Sequence, residues 1–251
     1  DRRWRELPGY PDSPWIGRSA RAAFPHKYRT IPFSSPIPPD ARVILSEIIK
    51  SNKYHVIGFI DEEKDVGTLI EKIDGVTYEV IANLSNASFL SNDGTHVIIG
   101  IGTNFTRMNV KEEIIKIHQN IKWGTVISED SVINGNVHIG EGSVILSGSI
   151  INNGTIIGEN CIIGTNVSVD HDNTIEDFVS LGPRSVTAGN VKISLCSHIG
   201  ASTTINQNIV IGEHTIIGSK SLCTKNCDSN SIYLGIPAIK SRSRELSESY
   251  L

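Results

Sequence analysis

One histidine, His171, stands between two carboxylates, Asp170 and Asp172, in the segment VDHDNT. An imidazole has an unperturbed pKa of about 6.5, so it can take a proton from a nucleophile as that nucleophile attacks. A neighbouring carboxylate can orient the ring and stabilise its charged form. These residues are therefore a candidate general base. The alternative is an ordinary surface histidine, since three other histidines lie in the same half of the chain.

The segment that contains His171 belongs to a six-residue repeat. An aliphatic residue occurs at every sixth position from Ile127 to Ile217, with one exception at Thr187, and no residue is inserted or deleted. The fifth place of each hexad is nearly always small or β-branched, and glycine often takes the second place. This pattern is typical of a parallel β-helix built from hexapeptide repeats.

A triangular coil explains the period of six. Three hexads make one turn of 18 residues, so each aliphatic side chain points inward and stacks on its counterpart one turn later, about 4.8 Å away. A helical period near 3.6 and a strand period of 2 do not account for the pattern. His171 occupies the third place of its hexad, which faces outward, and we therefore expect it on the outer wall of the prism.

Upstream of the repeat, residues 41–122 have the pattern of a small α/β domain. The apolar residues of ARVILSEIIKSN predict a helix, YHVIGFID and THVIIGIG predict strands, and NVKEEIIKIHQ predicts a second helix. The order helix, strand, strand, helix favours a parallel sheet of Rossmann type, in which ligands bind beyond the strand ends.

Two features refine this domain. Asn109 and Glu112 have the spacing of a capping box, which predicts that the second helix begins near them. Asp61 and the predicted loop Thr103–Arg107 follow the two strands. Asp61, Asn104 and Arg107 are therefore candidates for binding a substrate.

The first 40 residues differ from the rest, because they hold eight of the ten prolines. We expect residues 1–40 to form an extended arm that is not native to the domain. The alternative is a genuine extension that packs on the sheet, with KYRTIPF supplying a strand. The remaining predicted parts are the domain 41–122, the β-helix 123–228 and a C-terminal tail 229–251.

Composition excludes several classes of protein. A formal net charge of -4 argues against a nucleic-acid partner. No apolar run approaches the length of a membrane span, about 18 residues, and the N-terminus lacks the apolar core of a signal peptide. The four cysteines lack zinc-like spacing, which favours buried thiols in a reducing cytoplasm. We therefore expect a cytoplasmic protein without a bound metal.

Several segments resemble one family. GFIDEE, VIIGIGTNFTR, VSVDHDNTIEDFVSLGPRSVTAGNVKI and YLGIPAIKSR are similar to segments of the sialic acid O-acetyltransferase (NeuD) family of sugar acyltransferases. That family includes N-acetyltransferases for 4-amino sugar nucleotides of the bacillosamine and perosamine pathways. The resemblance covers roughly residues 41–242, and its most specific part is VDHD followed by AGNV. It implies a homotrimer of left-handed parallel β-helices. Each helix follows a Rossmann-like domain that binds a sugar nucleotide, and acetyl-CoA lies between neighbouring helices.

The resemblance also implies roles for residues. His171 is expected to be the catalytic base and Asp172 its partner. The residues expected to line the acetyl-CoA groove are Ser180, Gly189, Ala201, Ser219, Gly235 and Pro237. A purely structural turn explains Gly189 equally well, and the same holds for the turn that contains Gly235 and Pro237.

The sequence departs from the family at several places. SSPIPPDARV replaces a glycine-rich turn that approaches the nucleotide, and proline offers no N–H donor. Ser180, Gly164 and Glu176 stand where the family has His, Asn and commonly Gly. These changes indicate a different acceptor, weaker binding of CoA, or an inactive relative.

The function expected from these observations is acetyl-CoA-dependent acetylation of the amino group of a nucleotide-linked amino sugar for surface glycan biosynthesis. A sugar O-acetyltransferase of the sialic acid type and a non-catalytic sugar-nucleotide-binding relative remain alternatives. A γ-carbonic anhydrase places three histidines on zinc between subunits. The paired histidines five residues apart that this class uses are absent from the sequence.

Overall fold

Two domains follow each other in the computed structural model, which describes residues 29–33, 39–91, 94–246 and 248. The predicted fold class, a small Rossmann-like α/β domain followed by a left-handed parallel β-helix of hexapeptide repeats, is confirmed. Residues 122–124 join the domains and still pair with the first one, because Val97 donates to the carbonyl of Lys122 and accepts from Gly124.

A mixed sheet forms the centre of the first domain. Its strands are β1 (Arg29–Phe33), β2 (His55–Val56), β3 (Phe59–Ile60), β4 (Leu69–Ile73), β5 (Val76–Ala82) and β6 (Thr95–Ile99). Its helices are α1 (Pro39–Ser51) and α2 (Asn104–Ile117), and two 3-10 turns span Leu84–Asn86 and Ser88–Ser91. Strand β1 pairs in parallel with β6 on one side and with β2 and β3 on the other. Strand β5 pairs in parallel with β3 and antiparallel with β4.

Gly58 separates β2 from β3. Its φ of +151° is a conformation that L side chains rarely adopt. A Cβ at this position would also collide with the side chain of Ile81 on the neighbouring chain segment. Glycine therefore lets one continuous run of sequence bend into two short strands that both pair with β1.

Strand β1 corrects the predicted extent of the first domain. Residues 29–33 were expected in an extended arm, but they form a central strand in register with all of β6, as in the alternative in which KYRTIPF supplies a strand. A buried strand such as β6 needs a neighbour to satisfy its backbone donors and acceptors, and β1 supplies it. The predictions for residues 1–28 and for the proline-rich loop at 34–38 lie outside the described residues.

Helix α2 begins earlier than the sequence predicts. Thr103 is its N-cap residue, and the helix runs from Asn104, so Asn109 lies inside it. The predicted capping box at Asn109 is therefore wrong, and the predicted loop 103–107 is the cap and first turn of the helix. Short helices depend on tertiary packing, and this first turn packs against the second domain.

The second domain is a prism with three faces of short parallel strands. Face 1 consists of β7 (Val126–Ile127), β10 (Val144–Ile145), β13 (Ile162–Ile163), β16 (Ser180–Leu181), β19 (His198–Ile199), β22 (Ile216–Ile217) and β24 (Ser231–Leu234). Face 2 consists of β8 (Val132–Ile133), β11 (Ile150–Ile151), β14 (Ser168–Val169), β17 (Val186–Thr187), β20 (Thr204–Ile205) and β23 (Leu222–Cys223). Face 3 consists of β9 (His138–Ile139), β12 (Ile156–Ile157), β15 (Thr174–Ile175), β18 (Lys192–Ile193) and β21 (Val210–Ile211). We call the corners between consecutive faces edge 1/2, edge 2/3 and edge 3/1.

The register confirms a turn of 18 residues. Ile145 pairs with Ile163, and Ile163 pairs with Leu181. From residue 160 onward most corners contain a residue in the left-handed region, such as Asn166 and Asp172, both with φ of 57°. The chain can therefore turn at every sixth residue while all strands on one face stay parallel.

The inward aliphatic residues form a continuous core. From Ile145 to Ile217 each of them is buried, Thr187 included. Ile127 and Ile133 are 37% and 36% exposed, because no earlier coil covers the start of the prism.

All four cysteines are buried free thiols, as expected.

A hairpin closes the other end of the prism. Strand β25 (Ile239–Ser243), in the segment expected to be a tail, pairs antiparallel with β24. Tyr233 of β24 joins the core, and its hydroxyl accepts the N–H of Asp228 at 3.0 Å. The hairpin thus covers the last coil.

Neither helix that the structure describes combines the length and the hydropathy that a membrane span needs.

Face 1 packs against the first domain. Val126, Val144 and Leu146 share one buried cluster with Ile44 and Ile48 of α1. Burial of apolar surface between α1 and face 1 therefore joins the two domains.

Strand β12 gives a test of the core. Ile157 is fully buried, whereas Ile156 beside it is 51% exposed. We expect Ile157→Ala to lower the free energy of unfolding by about 2–5 kcal/mol, because it removes buried methyl groups and leaves a cavity. Ile156→Ala, the matched control, should cost less than half as much. Denaturant unfolding measures both, and equal losses would contradict the inward stacking.

Candidate active site

His171 and Asp172 lie on edge 2/3, between β14 and β15. The corner places residues 170–172 outside the prism, and the side chains of His171 and Asp172 are 54% and 63% exposed. His171 is therefore on the outer wall, as its place in the hexad predicts, and a ligand can reach it.

Two carboxylates hold His171 from different sides. Asp172 Oδ2 lies 2.8 Å from Nδ1 of the ring, and Asp170 Oδ1 accepts the backbone N–H of His171, also at 2.8 Å. The hydrogen bond to Asp172 raises the pKa of His171 above its ordinary value. Partial burial opposes this change, and the charges of Asp170 and Asp172 add to it. When Nδ1 of the neutral ring donates to Asp172, Nε2 keeps its lone pair and can accept a proton.

The coils on either side leave room for this pair. Gly189 lies one turn after His171, and a Cβ there would lie 2.5 Å from Cε1 and Nε2 of the ring. Gly154 lies one turn before Asp172, and a Cβ there would collide with the Asp172 carboxylate. Gly189 was expected to contact acetyl-CoA. The structure shows that its missing side chain makes space for the imidazole, and the contact with acetyl-CoA stays a prediction.

A row of amides supports Asp170. Asn152 donates to Asp170 Oδ1 at 3.3 Å, and Asn134 donates to Asn152 Oδ1 at 3.0 Å. The three residues are 18 apart, so each occupies the same place in successive coils. The sequence analysis did not identify this row, although reading the second place of every third hexad would have found it.

The residues expected to bind acetyl-CoA lie on different parts of the prism. Ala201 and Ser219 follow each other along edge 1/2, where Lys220 donates to the carbonyl of Ala201. Gly235 continues this line, because its carbonyl accepts the N–H of Leu222. Pro237 follows in the turn between β24 and β25. Face 2 separates this line from His171 and Gly189, so these residues do not form one site within a single prism.

Ser180, Asn104 and Arg107 form a buried contact between the two domains. The hydroxyl of Ser180 donates to Asn104 Oδ1 at 2.6 Å, and Arg107 donates to that hydroxyl at 3.0 Å. Arg107, only 1% exposed, also donates to the carbonyls of Phe178 and Asn160. In this single chain their polar atoms are occupied by one another and by backbone carbonyls, and the expected contacts of Ser180 with acetyl-CoA and of Asn104 and Arg107 with the substrate stay predictions. All three side chains are closed off by the packing of α2 on face 1.

Asp61 lies at the carboxyl end of β3, where a ligand was expected. Its Oδ1 accepts the N–H groups of Glu63 and Lys64 at 2.8 and 3.1 Å, which holds the turn. Its Oδ2 has no hydrogen-bond partner among the described residues. Asp61 is itself only 1% exposed, and its role in binding a substrate stays a prediction.

The two later histidines of the prism, His198 and His214, lie away from His171. His198 is on face 1, and burial lowers its pKa to about 4. His214 is on edge 3/1. In the parts of the chain that the structure describes, no group of three or more His, Cys, Asp or Glu side chains is placed to hold a metal ion.

The two domains match two protein families. Residues 41–114 match the PglD N-terminal domain. Residues 136–171 match the bacterial transferase hexapeptide family, described as six repeats. The first match covers most of the described α/β domain, and the second ends at His171.

Solved structures show the same two-domain fold. A variant of perosamine N-acetyltransferase from Caulobacter crescentus, in complex with CoA and GDP-perosamine, is 21% identical with a TM-score of 0.73, over 84% of this chain and 96% of that chain. The acetyltransferase domain of PglB from Neisseria gonorrhoeae is 21% identical with a TM-score of 0.75, over 85% and 99%. WeeI from Acinetobacter baumannii is 22% identical with a TM-score of 0.70, over 84% and 99%. The finer resemblance to sialic acid O-acetyltransferases stays a prediction.

The two carboxylates beside His171 give a test of the site. We expect Asp172→Asn to lower the pKa of His171 towards that of a free imidazole, because it removes the charged acceptor of Nδ1. Asp170→Asn, the matched control, should lower it less, since Asp170 contacts the backbone and not the ring. NMR titration of the His171 ring measures both values. An unchanged pKa in Asp172→Asn would contradict the observed pairing.

Proposed function

We propose that the protein transfers the acetyl group of acetyl-CoA to the amino group of a nucleotide-linked amino sugar, as a step of surface glycan biosynthesis. The observation that carries the proposal is the hydrogen bond between His171 Nδ1 and Asp172, on an exposed edge of the prism. The proposal is supported by the match of the two domains to the PglD N-terminal and transferase hexapeptide families. It is also supported by the structural relative that was solved with CoA and GDP-perosamine.

The proposed chemistry needs one base. The sugar amine attacks the thioester carbonyl carbon, and His171 Nε2 accepts the proton that the nitrogen loses as the C–N bond forms. The C–S bond then breaks, and the CoA thiolate takes a proton from the imidazolium, which restores the neutral ring. Asp172 keeps the ring in the required tautomer and stabilises its charged form. The products are the N-acetylated sugar and free CoA.

We infer that Asp61 contributes to binding of the sugar nucleotide. It lies at the carboxyl end of a strand in a parallel sheet, the usual place for a ligand in this architecture. Asp61 is 1% exposed and its Oδ2 is buried without a hydrogen-bond partner among the described residues, so a ligand hydroxyl can donate to it only if the turn at residues 61–64 opens.

We further propose that the protein is a homotrimer with acetyl-CoA bound between neighbouring prisms. Within one chain, face 2 separates His171 on edge 2/3 from Ala201 and Ser219 on edge 1/2. A second copy can bring its edge 1/2 next to the His171 of the first copy. Exposed apolar side chains of Val132 and Ile150 on face 2 favour such an assembly. Because acetyl-CoA and sugar nucleotides are cytoplasmic metabolites, we place the reaction in the cytoplasm.

An assay of thiol release tests the proposed activity. The purified protein is incubated with acetyl-CoA and a panel of 4-amino sugar nucleotides, and with hydroxyl acceptors such as sialic acid. We expect release with an amino sugar nucleotide. We also expect His171→Ala to lower kcat by about 100- to 10,000-fold, since it removes the general base.

His138→Ala is the matched control, because His138 is also exposed but lies on face 3. It should leave kcat unchanged. Equal release by the wild type and His171→Ala would remove His171 from the mechanism. Release only with hydroxyl acceptors would show an O-acetyltransferase, and no release with any acceptor would favour a non-catalytic binding protein.

Sedimentation tests the assembly. We expect a mass three times the 27.4 kDa of the chain. Because the proposed groove needs two prisms, a monomer at assay concentrations that still turns over acetyl-CoA would contradict the shared site.

A further inference from the structure

One interior residue beneath the candidate catalytic corner differs from its counterparts. Asn173 occupies the fifth place of the hexad that contains His171, and it is the only amide at that place between residues 127 and 228. It points into the prism and is 1% exposed. Its neighbours in the same column are Thr155 and Val191, one turn before and one turn after.

Serine and threonine at the fifth place make a recurring hydrogen bond. Their hydroxyl donates to the carbonyl of the residue 15 positions later, for example Ser149 to Gly164 at 2.8 Å and Ser197 to Gly212 at 2.7 Å. Asn173 makes the same bond, because its Nδ2 donates to the carbonyl of Ala188 at 3.0 Å. To this extent Asn173 does what a threonine would do.

The second hydrogen of the amide is what distinguishes Asn173. Besides the bond to Ala188, Nδ2 lies 2.6 Å from the carbonyl oxygen of Asp170 and 3.1 Å from that of His171, and these two acceptors share the second hydrogen. These two carbonyls belong to the corner whose side chains form the candidate site. A hydroxyl has one hydrogen and cannot bond to the corner and to Ala188 at once.

Stability does not explain this choice of residue. Asn173 Oδ1 is buried without a hydrogen-bond partner, which lowers stability relative to a residue that buries no such group. The carbonyl of Asp170 also accepts from Thr155 Oγ1 at 3.0 Å, and the carbonyl of His171 accepts from the N–H of Asn190 at 3.0 Å. Without Asn173, both carbonyls would therefore keep a donor.

We propose that Asn173 is a positioning residue for the His171–Asp172 pair. It ties the backbone of the corner to the prism interior, so that the exposed ring and carboxylate keep one geometry. The inference rests on the proposed function for its catalytic consequence, whereas its geometric part concerns the corner alone.

The variant that tests this is Asn173→Thr. Threonine occupies the same interior place at residues 155, 203 and 215, and it can keep the bond to the Ala188 carbonyl while losing the two bonds to the corner. We expect the melting temperature to be retained. The pKa of His171, which Asp170 and Asp172 raise, should fall towards about 6.5, the value of a free imidazole, as the ring–carboxylate bond loosens. We expect kcat to fall about 10- to 100-fold with the KM values changed less than about twofold, because a misplaced base costs turnover and not binding.

Thr215→Val is the matched control. Thr215 is also an interior fifth-place residue, and it lies at edge 3/1, between β21 and β22. Its hydroxyl donates to the carbonyl of Asp228 at 2.6 Å. This variant should lower the melting temperature and leave the pKa of His171 and kcat unchanged. The two variants therefore separate an effect on stability from an effect on the corner.

The outcomes are distinguishable. NMR titration of the His171 ring, assigned by its loss in His171→Ala, needs no activity and decides the geometric part even if the wild type acetylates no acceptor. Retention of the wild-type pKa and kcat in folded Asn173→Thr would overturn the proposal. If the threonine variant does not fold, Asn173→Ser replaces it in the same measurements. Serine occupies the same place in the hexad at residues 149 and 197.

Discussion

The 18-residue register between successive coils is the constraint on which the rest of the structure depends. Backbone N–H groups of one coil donate to carbonyls of the next, as Val144 does to Cys161 and Ile162 does to Val179. Residues 18 apart are therefore neighbours on the outer wall as well as in the core. A single insertion would move every later side chain to another place in the hexad. The strict period of the sequence follows from this requirement.

The candidate site uses the register on the outside of the prism. Asp170 continues a row of amides from earlier coils, while Gly154 and Gly189 leave space below and above the His171–Asp172 pair. The pKa of an exposed histidine is raised here by carboxylates of its own corner and not by burial. A rigid solenoid can thus present a polar pair to solvent.

Arg107 joins the two domains by a different principle. A buried guanidinium is costly unless its donors are satisfied, and here they are satisfied by neutral groups of both domains. It donates to the carbonyls of Ile101 and Gly102 in the first domain and to that of Phe178 in the prism. Helix α2, which carries Arg107, is thereby held against face 1. The N-terminal domain and the prism are connected by a polar contact as well as by apolar packing.

Sequence periodicity determined the prism, its 18-residue turn and the outward place of His171, because an inward aliphatic residue must recur at every sixth position. Local composition also indicated the helices and parallel strands of the first domain. Only the tertiary structure decided between an arm and a strand at residues 29–33, and only it showed that α2 begins at Asn104 and that Ser180 lies under the first domain. These features depend on contacts between residues that are distant in the chain and share no periodic pattern, such as the pairing of β1 with β6 and the bond of Arg107 to Ser180. Asn173 belongs to both groups: its place in the hexad is visible in the sequence, but its bonds to the corner that carries His171 exist only once the coil has closed.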